Sequence, residues 1–156
     1  MAGAHRLAQV NIALPLEPLD SELLAGFTSM LDAVNARADQ APGFVWRLQD
    51  ETGDATGFRV LDDERLIVNM TVWESIEALH AFVYADAGHL AVLRRRHTWF
   101  AKIDVALALW WVPAGHLPDT AEAEARLRLL ADRGPSAEAF TFRVAFPPPA
   151  LTSAPA

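Results

Sequence analysis

The sequence predicts an α+β fold: a ferredoxin-like antiparallel sheet with helices on one face, extended by an extra C-terminal helix and strand. Three observations carry this. Segments with period-2 alternation and segments with period-3.6 stripes follow one another as β-α-β-β-α-β, then α-β. Pro15, Pro18, Pro42-Gly43 and Gly134-Pro135 punctuate them. The chain of 156 residues, 52% hydrophobic and 21% charged, is long enough for one buried core. Residues 1–146 are expected to form a single α+β domain, and 147–156 (PPPALTSAPA) a disordered Pro/Ala tail with nothing to pack.

Each element has its own signature. "RLAQVNIAL" (6–14) alternates, with Ala8, Val10 and Ile12 opposite Gln9 and Asn11. Asp20 is positioned to cap a helix over 21–38, whose Leu23, Leu24, Phe27, Met30, Leu31 and Val34 form one stripe. "FVWRL" (44–48) is a second strand, "DETGDATG" (50–57) a polar turn and Arg65–Trp73 a third strand. Glu74 or Ser75 opens a helix burying Ile76, Leu79, Phe82 and Val83, and "HLAVLRRRHTWF" after Gly88 continues helically. "DVALALWWV" (104–112) is the fourth strand. Asp119 with Glu122 starts a third helix like a capping box, with Leu127 and Leu130 inward and Glu122/Arg126 and Glu124/Arg128 pairs outward. "AFTFRVAF" (139–146) alternates again, placing Phe140 and Phe142 on one side.

Composition excludes several functions. With no cysteine there are no disulfides, thiolate nucleophiles or Cys-ligated metals, and a cytoplasmic address is expected. A formal charge of −7 argues against gripping nucleic acid backbones, despite "RRR" at 94–96. No signal peptide is expected from the N-terminal residues, and the most apolar run, "VALALWWVPA", is about half the ~20 residues of a membrane helix. The protein is expected to be soluble, with no membrane partner.

Strand parity separates two surfaces. Leu66, Val68, Met70 and Val72 point one way, and Ile67, Asn69, Thr71 and Trp73 the other. The apolar set suits the helix layer. The polar set, joined by Gln9, Asn11 and Arg47, then falls on a sheet face no helix covers, which a second copy in a homodimer would enclose. An apolar cavity with a few convergent polar groups is the usual form of a small-molecule site.

Other candidates come singly. His89, just after Gly88, titrates in the range of a general base. Arg96 and Trp99, three apart, share a helix face. His116, between Pro113 and Pro118, is placed either to close a pocket mouth or to cap the following helix, and Phe142 is a candidate for the apolar lining. Trp110 and Trp111 lie on opposite strand faces, and parity does not say which is core. No HExxH motif occurs, and no metal site is expected.

"NMTVWES" (69–75), with an amide four residues before a tryptophan that leads into a helix, resembles the antibiotic-biosynthesis monooxygenase-like superfamily of dimeric α+β barrels. "AQVN", "PGFVWRL", "H…RRRHTWF", "LWWVPAGHLP" and "AFTF" are closer still to an uncharacterised bacterial family within it. The resemblance implies a homodimer and a cofactor-independent enzyme of secondary metabolism. It would oxygenate, or cyclise by proton transfer, an aromatic or polyketide-like substrate. It assigns Asn69 and Trp73 to flank the reacting carbon and one of Arg94, Arg95 and Arg96 to hold substrate charge; with His89 these make Asn69, Trp73, His89 and Arg96 the catalytic candidates. Asn11, Arg47, Thr71, Trp99, His116 and Phe142 are the substrate-binding candidates. The same superfamily holds heme-degrading enzymes, so heme binding is one alternative, and a non-catalytic ligand-binding dimer module is the other. The heme-degrading relatives carry their histidine where this chain has Val83 and Tyr84.

Overall fold

The computed structural model describes residues 4–51, 53, 56 and 58–149. Its elements are β1 (His5–Pro15), α1 (Ala25–Asp39), β2 (Phe44–Arg47), β3 (Ile67–Trp73), α2 (Ile76–Ala85), α3 (Ala87–Arg94), α4 (Arg96–Trp99), β4 (Phe100–Ala101), β5 (Leu107–Pro113) and α5 (Thr120–Arg133). β1 is central: it pairs antiparallel with β3 and with β5, while β2 extends the sheet beyond β3 and β4 adds a short pair at Leu14 and Pro15. This is the ferredoxin-like order, reached because every connection between neighbouring strands carries a helix or a long turn.

The helices start where local chemistry allows. Ser75 caps α2 by accepting from the Ala78 N–H, Asp86 caps α3 through the His89 N–H, and Asp119 caps α5 through the Glu122 N–H. The first helix departs from expectation. Asp20 does not cap it; the Ser21 hydroxyl accepts from the Leu24 N–H, and α1 begins a turn later, at Ala25. Gly43 makes the joint before β2. It sits at φ +82°, and a side chain there would meet the Ala78 Cβ at 2.5 Å, so α2 packs against bare backbone.

The C-terminal strand expected over 139–146 reduces to two isolated bridges, Phe140 with Leu109 and Ala139 with Ser136. The Thr141 hydroxyl accepts from the Val144 N–H and closes a turn instead. Pro147, Pro148 and Pro149 then supply no donors to continue a ladder. The outward pairs expected on α5 do not form either. Glu122 binds His116 and Trp110, Glu124 accepts from the Leu61 N–H, and Arg126 lies over the Trp110 ring and donates to the Glu138 carbonyl. Residues 150–156 of the expected tail lie outside the described residues.

Parity separated the two surfaces correctly but assigned their covers the wrong way round. The apolar set (Val10, Val68, Met70 and Val72, with Ala108 and Trp110) packs against Ala123, Leu127 and Leu130 of α5. The polar set faces α1, α2 and α3, whose Val34, Ala38, Leu79 and Phe82 close over it with Trp73 and Leu7. Helices therefore cover both faces, and α5 removes the ground for expecting a second copy over a bare one. Trp110 is fully buried under α5, and Trp111 on the other face donates to the Phe146 carbonyl; neither lines the cavity described below. No helix among the described residues is long and apolar enough to cross a membrane.

Candidate functional site

The β1–β3 register turns parity into contacts. Gln9 lies opposite Thr71, Asn11 opposite Asn69, and Leu7 opposite Trp73. These rungs floor a cavity of about 450 Å³ roofed by α1, α2 and α3. That volume lies within the range of small-molecule sites.

The deep end is organised by hydrogen bonds. The Trp73 indole N–H donates to the Thr71 hydroxyl at 2.8 Å, and the Gln9 amide donates to the same hydroxyl at 3.0 Å and to the Asn69 carbonyl oxygen at 3.3 Å. Gln9, Thr71 and Trp73 are buried, while Asn69 is exposed toward the void. Buried groups in such a chain fix one another's orientation, because any slip would leave a donor without water or partner. Trp73 is held on both sides, edge-on by Phe44 at 5.4 Å and by Phe82 at 5.5 Å between ring centroids.

His89 reaches this end from the first turn of α3, 5.1 Å from Phe82. Its Nδ1 lies 3.0 Å from the Val83 carbonyl, which only accepts, so Nδ1 carries the proton and Nε2 keeps its lone pair. Burial lowers the His89 pKa below its ordinary 6.5, against the opposing pull of the Val83 carbonyl and Asp86. The imidazole is therefore neutral at pH 7. Asp86 anchors its helix turn: the carboxylate accepts from the His89 N–H and from Arg37 of α1, whose hydrogen bonds hold the Asp86 pKa below the usual range. Gly88 makes room for this clamp, since a side chain there would meet Arg37 at 2.8 Å.

Of the residues singled out from the sequence, Asn11, Arg47, Asn69, Thr71, Trp73, His89, Arg96 and Phe142 line the cavity. Arg47 does so with its guanidinium already engaged by Asp39 at 2.7 Å and by the Gly53 carbonyl, so it serves as wall rather than anchor. Arg96, rather than Arg94 or Arg95, faces the void; Arg95 stacks on the Trp99 ring at 4.7 Å. Two expectations fail on placement. Trp99 is buried against Phe27 and Phe100, away from the lining, because α4 turns its indole under α1. His116 is tied to Glu122 at 2.6 Å at the start of α5, and so belongs to the helix-start alternative.

Sequence reasoning missed Asn35. It is 9% exposed, lines the cavity from α1, and makes no side-chain hydrogen bond to any described residue. Its signal was present: it continues the Phe27–Leu31 row by one more i+4 step. His97 and Lys102 also line the cavity. No group of three or more metal-ligating side chains converges among the described residues.

An antiparallel sheet with β1 between β3 and β5, helices over it and a cavity on its Asn/Thr/Trp rung defines the class of protein: a ferredoxin-like α+β fold. Residues 6–155 match the family described as Domain of unknown function (DUF3291), and the chain belongs to that family. No curated protein matches its sequence. Among solved structures it is similar to SnoaB, a cofactor-independent oxygenase from Streptomyces nogalater. The two share 21% identity with a TM-score of 0.50, over 74% of this chain and 100% of that one. It is also similar to a conserved protein from Methanosarcina mazei Go1, at 8% identity and a TM-score of 0.51, over 70% of this chain and 93% of that one. At these identities the likeness is one of fold.

Proposed function

We propose that this chain is a cofactor-independent enzyme that removes a proton from an aromatic or polyketide-like substrate held in the cavity. The carrying observation is His89: a neutral imidazole with a free Nε2, set beside the Trp73–Phe82 aromatic wall in a largely apolar chamber. A base of this kind needs a pKa near or below the working pH and a site that excludes water. Trp73 supplies a stacking surface, and the Asn69 amide N–H₂ a hydrogen bond to the oxygen on which negative charge develops.

Two outcomes of such a deprotonation fit the fold. With dioxygen, a CH₂ carbon gives up a proton and its carbanion passes electrons to O₂. A hydroperoxide forms at that carbon and loses water to leave a carbonyl, so one oxygen atom enters the product and one leaves as water. Without dioxygen, the same carbanion adds to a carbonyl carbon of the substrate and closes a ring, as the C=O π bond becomes an alkoxide that takes the proton back. SnoaB, similar in fold, works as an oxygenase without a cofactor, which favours the first.

The test is turnover of polyphenolic substrates under air and under argon, with O₂ uptake recorded. His89→Ala and the Asn69→Ala/Trp73→Phe pair are expected to lose at least about 100-fold in rate while remaining folded. Full activity in the double variant would sink this reading. A Soret band on hemin titration that His89→Ala abolishes would move the assignment to heme binding through Nε2. Tight ligand binding with no turnover in either atmosphere would leave a binding module.

A further inference from the structure

The cavity lining is charged in one sense only. Arg47, Arg96 and Lys102 contribute to it, and among the described residues no Asp or Glu does, although the chain as a whole carries a net charge of −7. Arg47 is neutralised by Asp39. Arg96 and Lys102, the chain's only lysine, have no carboxylate within ion-pair distance among the described residues. Arg96 donates only to the Leu93 carbonyl. Unpaired cations bordering an apolar void in an acidic protein raise the local concentration of anions.

These cations stand at a defined end. α3 carries His89 in its first turn, near Phe82, and runs through Val92 and Leu93 of the roof toward Arg96, two residues past its end. His89 to Arg94, the end of α3, is about 7.5 Å of helical rise, and Arg96 stands just past the break at Arg95, so the two ends are on the order of 10 Å apart. Lys102 follows β4, which pairs with Leu14 and Pro15 beyond the Asn11/Asn69 rung, so it lies at the same far end as Arg96.

Building on the proton-abstraction reading, we propose that the substrate is an elongated apolar carboxylic acid. Its carboxylate rests on Arg96 and Lys102, and its reacting carbon lies about 10 Å away at His89. One guanidinium and one ammonium match a single carboxylate with two oxygens. Because both side chains are solvent-exposed, each contact is worth only about threefold in affinity, and the pair about tenfold. The charge they hold is at the end remote from the reaction, so it sets the direction in which the substrate enters rather than its reactivity.

The test uses anthracene-2-carboxylate and its neutral isostere anthracene-2-carboxamide, followed by quenching of ligand and tryptophan fluorescence. The acid is expected to bind about tenfold more tightly at low salt, with the advantage shrinking as salt screens it. Arg96→Gln/Lys102→Met is expected to erase the preference, bringing acid binding down to the level of amide binding, and His89→Ala to keep the preference. Equal binding of acid and amide by the natural protein, or a preference that survives in the double variant, would overturn the proposal and leave the His89 reading standing. Failure of both probes to bind would overturn it together with the cavity reading. Retained preference in a His89→Ala protein with unimpaired turnover would sink the base assignment alone.

Discussion

The two faces of the sheet share strands and differ in everything else. Under α5 the strand side chains are apolar except for the Trp110 indole N–H, which donates to Glu122, and Trp110 and Met70 are fully buried. Under α1, α2 and α3 the same strands present amides, a hydroxyl and an indole around a void of about 450 Å³. A void and a polar network both cost stability relative to a filled apolar core. The α5 face is therefore where the fold gains its stability, and the opposite face is where that stability supports an open, hydrogen-bonded chamber.

The sharpest way to break this contrast is to damage the α5 face. Trp110→Ala is expected to cost about 3–5 kcal/mol and lower the melting temperature by on the order of 10 °C, read by thermal unfolding. The surviving folded fraction should keep its cavity-binding behaviour. On the other face, Thr71→Val removes the acceptor shared by Trp73 and Gln9. It is expected to cost about 1–3 kcal/mol in chemical denaturation, since two buried donors lose their partner. Unlike Trp110→Ala, it should also weaken ligand binding, because Trp73 loses its fixed orientation.

A third comparison uses pH. The His89 pKa is lower in the folded chain than its ordinary 6.5, chiefly through burial. The contribution of the neutral ring to stability is therefore present above about 6.5 and is lost as pH falls through the lowered folded value. His89→Phe is expected to flatten that part of the stability curve, seen by denaturant midpoints between pH 7.5 and 5 (a range of about 2.5 units). An unchanged slope would show that the ring is open to solvent. The smallest effect is expected at Asn35. Asn35→Leu removes an amide that has no protein partner among the described residues and opens to the void, so stability should stay level within about 0.5 kcal/mol while ligand affinity falls. A loss of stability there would mean the amide serves packing rather than a ligand.

How much of this was legible follows from what a period can encode. The period-2 pattern of 66–73 placed Asn69, Thr71 and Trp73 together, and the register confirmed Gln9 and Asn11 as their neighbours. What alternation does not encode is the cover of each face. α5 and α1 are both amphipathic, and nothing in their stripes says which side of the sheet each meets. Arg47 read as a substrate-binding candidate because Asp39, its partner, lies on the preceding helix and reaches it only once the Pro42-Gly43 turn closes. Residues 139–146 kept a strand's alternation without a strand's pairing, since only Leu109 offered backbone to Phe140. Trp99 was misplaced because α4 breaks from α3 at Arg95, which rotates everything after it off the α3 face.

The central position of β1 governs how the chain can fold as it is made. Its neighbours are β3 and β5, which begin at Ile67 and Leu107, and the cover for its apolar face begins at Thr120. During synthesis the first strand waits through most of the chain with an unpaired edge and an uncovered apolar face. The helix that stabilises the finished molecule leaves the ribosome after every strand of the sheet, so a chain stopped short of it exposes the surface most prone to aggregate.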